Sequence, residues 1–150
     1  MQEVIAGHVR AQMVASRLTD VSSSDSHTVK PWFNGKLDFA PLVLDLTTQG
    51  FPLVGGRLDY LANRPVAALV YRHRQHLIHL FIWPAAGRPN TARQSLTRQG
   101  YQVFHWSEAG MHYWAVSDLN ASALKSFSNL IQEQTAAGPV AQAARGLPAS

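Results

Sequence analysis

The sequence predicts an α+β fold: a five-stranded antiparallel β-meander with an N-terminal helix, a short second helix and a C-terminal helix packed on it. Three observations predict it. Past Phe51 the apolar spacing changes from helical to strand-like. The links between the first three strands are short, whereas parallel strands need a crossover of a dozen residues or more. Beyond the strands, Leu124, Phe127 and Ile131 stand at helical spacing.

Taken in order, residues 2 to about 18 predict a helix. Ala6, Val9 and Met13, followed by Ser16 or Arg17, give it only a thin apolar stripe, so it leans on a partner or on material upstream. Residues 19–26 are polar and turn-rich, a joint. Pro31 suits the first turn of a short helix, and Asn34-Gly35 suits its stop. Strands are expected at roughly 52–60, 64–72, 77–83, 100–106 and 111–117. Leu61-Ala62-Asn63 and His73-Arg74-Gln75-His76 make the first two connections. The run Pro65 to Tyr71 is apolar on both faces, as a central strand should be. Gly55-Gly56 predicts a bulge or a close backbone approach. Residues 84 to about 99 have loop composition. A helix over 120–133 follows, with Asp118 or Asn120 as its N-cap. The organisation expected is a helical stem at 1–20, one domain at 21–134, and a flexible tail at 135–150 rich in Ala, Gly and Pro.

At 150 residues with 46% apolar content, one domain can bury about 70% of the surface its unfolded chain exposes. The chain has no cysteine, which excludes disulfides, thiolate zinc sites, iron–sulfur clusters and cysteine nucleophiles. The net charge of +4 is unevenly spread. Between Asp59 and Glu108 there is no acidic residue, while Arg64, Arg72, Arg74, Arg88, Arg93 and Arg98 all fall inside. Such a one-sided field suits an acidic partner or anionic lipid head groups, although solvated turns also account for it. Direct nucleic-acid binding fits poorly, because the arginines are scattered and no recognition motif accompanies them. No apolar run is long enough to span a bilayer. The start lacks the basic and apolar regions of a secretory signal, and by itself reads as that of a cytosolic chain.

Seven histidines invite a metal reading. A four-residue hairpin loop at Ser107–Gly110 would set Trp106 against Met111 and His105 against His112. Opposed side chains lie about 4.5–5.5 Å apart at Cβ, close enough to share an ion. His73 faces His76 by the same logic. Two ligands are half of a tetrahedral site, and no sequence feature names the others. His79 shares a strand face with Leu77, Phe81 and Trp83, as a hydrogen-bonded histidine at the edge of the core. No Gly-x-Ser-x-Gly elbow is present, and Gly55-Gly56 lacks the length and the Lys-Ser/Thr ending of a phosphate loop. The residues therefore predict no enzyme and no cofactor. A small metal-dependent enzyme using His105 and His112 is the alternative, and a homodimerising structural domain built on the first helix is another. The aromatics concentrate on the sheet. Most should be core, and a minority exposed beside arginines would mark a partner surface. Candidates for that surface are Trp32, Arg72, Arg74 and His76.

Several phrases carry a family likeness. His27-Thr28-Val29-Lys30-Pro31-Trp32-Phe33-Asn34-Gly35-Lys36-Leu37-Asp38-Phe39 resembles the opening of the extracytoplasmic domain of bacterial transmembrane anti-sigma factors. The runs Gly50 to Leu61, Pro65 to Arg72 and Gly110 to Asn120 are similar to the same family, in order and spacing, over about residues 20–133. The resemblance implies a sensor or regulatory domain on the periplasmic side of the inner membrane. It implies a membrane helix upstream of residue 1, with residues 1–20 as the stem leaving it. The sigma factor would be a partner of a cytoplasmic segment absent from this chain. An unidentified periplasmic protein or signal would be the partner outside, with release of the sigma factor on receipt of that signal or on proteolysis. No sigma-binding or zinc-binding residue of the family falls within these positions.

Overall fold

The computed structural model describes residues 5–6, 21–22, 26–61 and 63–145. Its elements are β1 (Val21–Ser22), α1 (Ser26–Asn34), β2 (Leu53–Leu61), β3 (Arg64–His73), β4 (His76–Pro84), β5 (Thr91–Arg98), β6 (Tyr101–Glu108), β7 (Met111–Ser117) and α2 (Ala121–Arg145). A 3-10 turn at Thr47–Gln49 precedes β2. The fold is α+β, and every strand pairs antiparallel.

Six long strands make the sheet, one more than the sequence predicts, and the two-residue β1 extends one edge. The additional strand is β5, where loop was expected. Leu96 is the only large apolar side chain of Thr-Ala-Arg-Gln-Ser-Leu-Thr-Arg, and most of the strand is exposed, so no alternation announces it. Gln99 and Gly100, at φ 55° and 84°, close it onto β6 through a two-residue turn of the kind that matches strand twist. Arg93 anchors it from the side. Its Nη1 donates to Ser128 Oγ at 3.0 Å and Gln132 Oε1 at 3.1 Å on α2, and to Asn129 Oδ1.

This extra strand changes the topology. The order is β1-β2-β3-β4-β7-β6-β5, two three-stranded meanders joined where β4 meets β7, in place of a single meander. The chain leaving β4 crosses to the far edge and returns strand by strand. β3 and β4, next to one another in the middle of the order, are buried through their central residues and open toward their ends.

Helices and loop 37–51 cover one face. Val29 and Phe33 of α1, Val43, Leu46 and Phe51 of the loop, and Leu124, Phe127 and Ile131 of α2 pack there against Leu69, Tyr71, Ile78, Leu80, Trp106 and Tyr113. The Phe127 ring meets Phe51 at 5.4 Å and Tyr71 at 5.0 Å, both edge-on. The Tyr71 hydroxyl donates to the Leu44 carbonyl at 2.8 Å. Both readings of the glycine pair hold: the β2–β3 register shifts between Leu53 and Gly55, and a Cβ on Gly56 would stand 2.8 Å from the Phe33 ring.

α1 starts before Lys30 and keeps Pro31 inside it. The Asn120 carboxamide accepts from Ala123 N at 2.8 Å, an N-cap as expected. α2 continues past residue 133 to Arg145, into the segment read as a tail. Of the predicted first helix, Ile5 and Ala6 are helical, and the rest lies outside the described residues. Among the described residues no helix is long and apolar enough to cross a membrane.

The second face of the sheet has its own cluster: Leu61, Val66, Ala68, Phe81, Val103 and Val116, with Ile5 buried among them and Trp83, Leu96, Tyr101 and Trp114 half-covered at its margin. Arg57 and Asp59 also lie on this face as a buried ion pair, Nη1 to Oδ2 2.6 Å, the guanidinium 5.9 Å from the Phe81 ring centre.

Candidate functional site

At the margin of that second face a cleft of about 430 Å³ opens between the loop after β4 and the strands β4, β5, β6 and β7. Side chains of a strand alternate between faces, so His105 and Ser107 of β6 share a face with His112 and Trp114 of β7 and with Trp83 of β4. The register sets Ser107 against His112, His105 against Trp114 and Trp83 against His112. Gln94 of β5 stands beside His105, and Arg88, Pro89 and Thr91 form the wall.

The rings form a row. His105 lies flat on Trp114, centroids 4.2 Å apart and planes 9° apart. Trp114 and Trp83 follow at 6.3 Å and 18°, and His112 leans on Trp83 at 5.4 Å.

The two histidines named from sequence do line one cleft, but they do not oppose each other. The β6–β7 turn has two residues where four were expected. Ala109 and Gly110 both take positive φ, 53° and 79°, and pairing therefore runs on to Glu108 and Met111. That moves His112 opposite Ser107 and leaves His105 diagonal to it. The ring of His105 is committed to Trp114, and His112 Nδ1 shares a 2.6 Å hydrogen bond with the buried Ser107 hydroxyl. Among the described residues no group of three or more His, Cys, Asp or Glu gathers where a metal could sit. Ser107 and His112 supply two of the three members of a nucleophile–base–orienter set, and no carboxylate among the described residues stands behind His112 as the third.

Electrostatically the cleft is positive. Burial pushes His105 below the ordinary imidazole range. Burial, then the charges of Arg88 and Arg64, does the same to His112. Both rings are thus uncharged at neutral pH, while the arginines stay charged. No carboxylate among the described residues lines the cleft. Glu108, the nearest in sequence, alternates to the helix-covered face, where burial raises its pKa. There its Oε2 and the Trp106 indole nitrogen are buried without a hydrogen-bond partner among the described residues.

The surface candidates separate. Arg74 and His76 line a shallow hollow of about 320 Å³ at the start of α2 with His73 and Asp118. There His76 Nδ1 lies 3.0 Å from Asp118 Oδ1. His73 faces His76 in the register, stacks on Phe51 and donates from Nδ1 to the Gly50 carbonyl at 2.9 Å. Arg72 is exposed on the same hairpin but outside the hollow. Trp32 is elsewhere, half-buried on α1 against Phe33 with Lys36 over its ring at 4.4 Å. His79 is fully buried on the second face, stacked on Phe81.

The sequence reading missed Trp83, Trp114, Ser107, Arg88 and Gln94 as a group. The expectation that exposed aromatics beside arginines mark a partner surface pointed to their type. Finding the group needed the correct turn length and the fifth strand. No family model, curated protein or solved structure matches the chain.

Proposed function

We propose that this chain is the signal-receiving regulatory domain of a membrane-anchored anti-sigma factor, held on the periplasmic side of the inner membrane and without catalytic activity of its own. Support comes from the family likeness of the segments that make up α1, β2, β3 and the run from β7 into α2. One structural observation carries the regulatory reading: Ile5, from the stem, is 4% exposed and belongs to the cluster on the second face of the sheet. A stem seated on the sheet ties the chain's membrane-proximal end to the domain's own packing. A signal received outside then shifts the stem between seated and released states, to the extent of its differential affinity for the two. The sigma factor is bound by a cytoplasmic segment that precedes this domain.

The test is the reading frame upstream of Met1, together with the full-length protein. A hydrophobic span of about 20 residues and co-purification of an alternative sigma factor with the full-length protein are expected. A frame without such a span refutes the proposal. So does Ile5→Asp in the full-length protein if it leaves sigma-dependent transcription unchanged.

A further inference from the structure

We propose that the cleft bordered by Trp83, Trp114, His105 and Arg88 is a binding site for a small, flat organic carboxylate, of the arenecarboxylate class. The inference goes beyond the regulatory reading and does not depend on the membrane tether. Three features of the cleft select the ligand. Its size, about 430 Å³, falls in the range of small-molecule sites, about 300–1,000 Å³, and is too small for a folded partner. Its floor is a row of near-parallel rings, which offers dispersion contact to a flat apolar body. Its charge is one-sided: Arg88 stands at the wall, Arg64 acts on His112 from nearby, and no carboxylate among the described residues lines the cleft.

The same features exclude the neighbouring ligand classes. A cation would meet Arg88 with no carboxylate among the described residues of the lining to balance it. A phosphate or other dianion would bring no apolar body for the rings, and would meet one guanidinium, that of Arg88, among the described side chains of the lining. One guanidinium pairs with one carboxylate through two parallel hydrogen bonds. Gln94 and Thr91, the polar side chains on the β5 side, supply the remaining donors.

The experiment is a titration of the whole 150-residue chain followed by nitrogen-15 NMR, in which its four tryptophans give four indole N–H signals. The probes are 2-naphthoate, 2-naphthylmethylammonium and inorganic phosphate. Naphthoate is expected to shift the Trp83 and Trp114 signals saturably while the Trp32 signal stays in place. Arg88→Gln, a change at an exposed loop position, is expected to weaken that binding at least about fivefold in a spectrum that is otherwise preserved. Any of four results overturns the proposal: no shift of those two signals at about 5 mM naphthoate, weaker than any affinity worth the name; equal binding of the ammonium probe; competition by phosphate alone; or undiminished binding by Arg88→Gln. Shifts of the same two signals on dilution of the protein by itself would assign the cleft to a second copy of the chain, and also overturn it. Because the isolated domain is read directly, failure here leaves the tether and the sigma factor to their own test.

Discussion

His105 and Trp114, directly opposed on β6 and β7, stack with their planes 9° apart. An aromatic cross-strand pair contributes about 0.5–1.5 kcal/mol beyond the area it buries. His105→Ala should therefore lower stability by about 1 kcal/mol in urea unfolding, whereas His105→Phe, which keeps a flat ring there, should lose far less. Equal losses from the two variants would mean that the stack contributes nothing.

Both cleft histidines have pKa values below the ordinary 6.5, with burial as the leading cause. The sign follows. In the unfolded chain they take up protons at a higher pH than in the folded one, so the unfolded state binds more protons in the window just below 6.5. Stability is fully present above that window and falls as pH is lowered through it. The melting temperature should drop between pH 7.5 and 5.5, and the His105→Phe, His112→Gln double variant should flatten that slope. A slope unchanged in the double variant would assign the effect elsewhere.

At Gly56, β2 passes directly under Val29 and Phe33 of α1. The added methyl of Gly56→Ala would meet the Phe33 ring at 2.8 Å, and overpacking of a filled core costs about 1–3 kcal/mol. That loss should be largely recovered by Phe33→Leu in the same chain. Calorimetry on the two single variants and the double variant measures the coupling.

Ala109 holds a left-handed conformation, φ 53°, which costs an L-residue with a Cβ about 1–2 kcal/mol. Asparagine tolerates it better and, before Gly110, makes the favoured Asn-Gly turn. Ala109→Asn should raise the melting temperature, and a neutral or lower value would contradict the turn geometry.

What was legible in the sequence followed from strong local signals. β2, β3, β4, β6 and β7 announced themselves through apolar runs and short links, and α2 through Leu124, Phe127 and Ile131. β5 was hidden because an edge strand exposed along most of its length carries no hydrophobic period; a single arginine, Arg93, holds it to α2. The strand order was hidden with it. His105 and His112 share one face, as their spacing suggests, but the turn between them is two residues shorter than the four-residue loop. Ala-Gly is a weaker hairpin signal than Asn-Gly, and a four-residue loop was equally compatible with the spacing. Trp83 and Trp114 resembled core residues in composition. Only the arrangement of β4 beside β7 brings them together at the margin.

The seam between β4 and β7 also bears on how the chain reaches this structure. Every other long-strand pairing is made by neighbours in sequence, through a hairpin or a short link, while this one joins two otherwise local halves. Loop-closure entropy makes such a distant pairing the slow one. Refolding from urea should be retarded by Ala115→Gly, on the seam strand β7, if that pairing forms in the rate-limiting step. The same change at Ala67, within the β2–β3–β4 half, should then act on refolding to a different extent. A chain whose halves assemble early and lock late spends its unfinished time with β4 and β7 unpaired, open to the wrong neighbour.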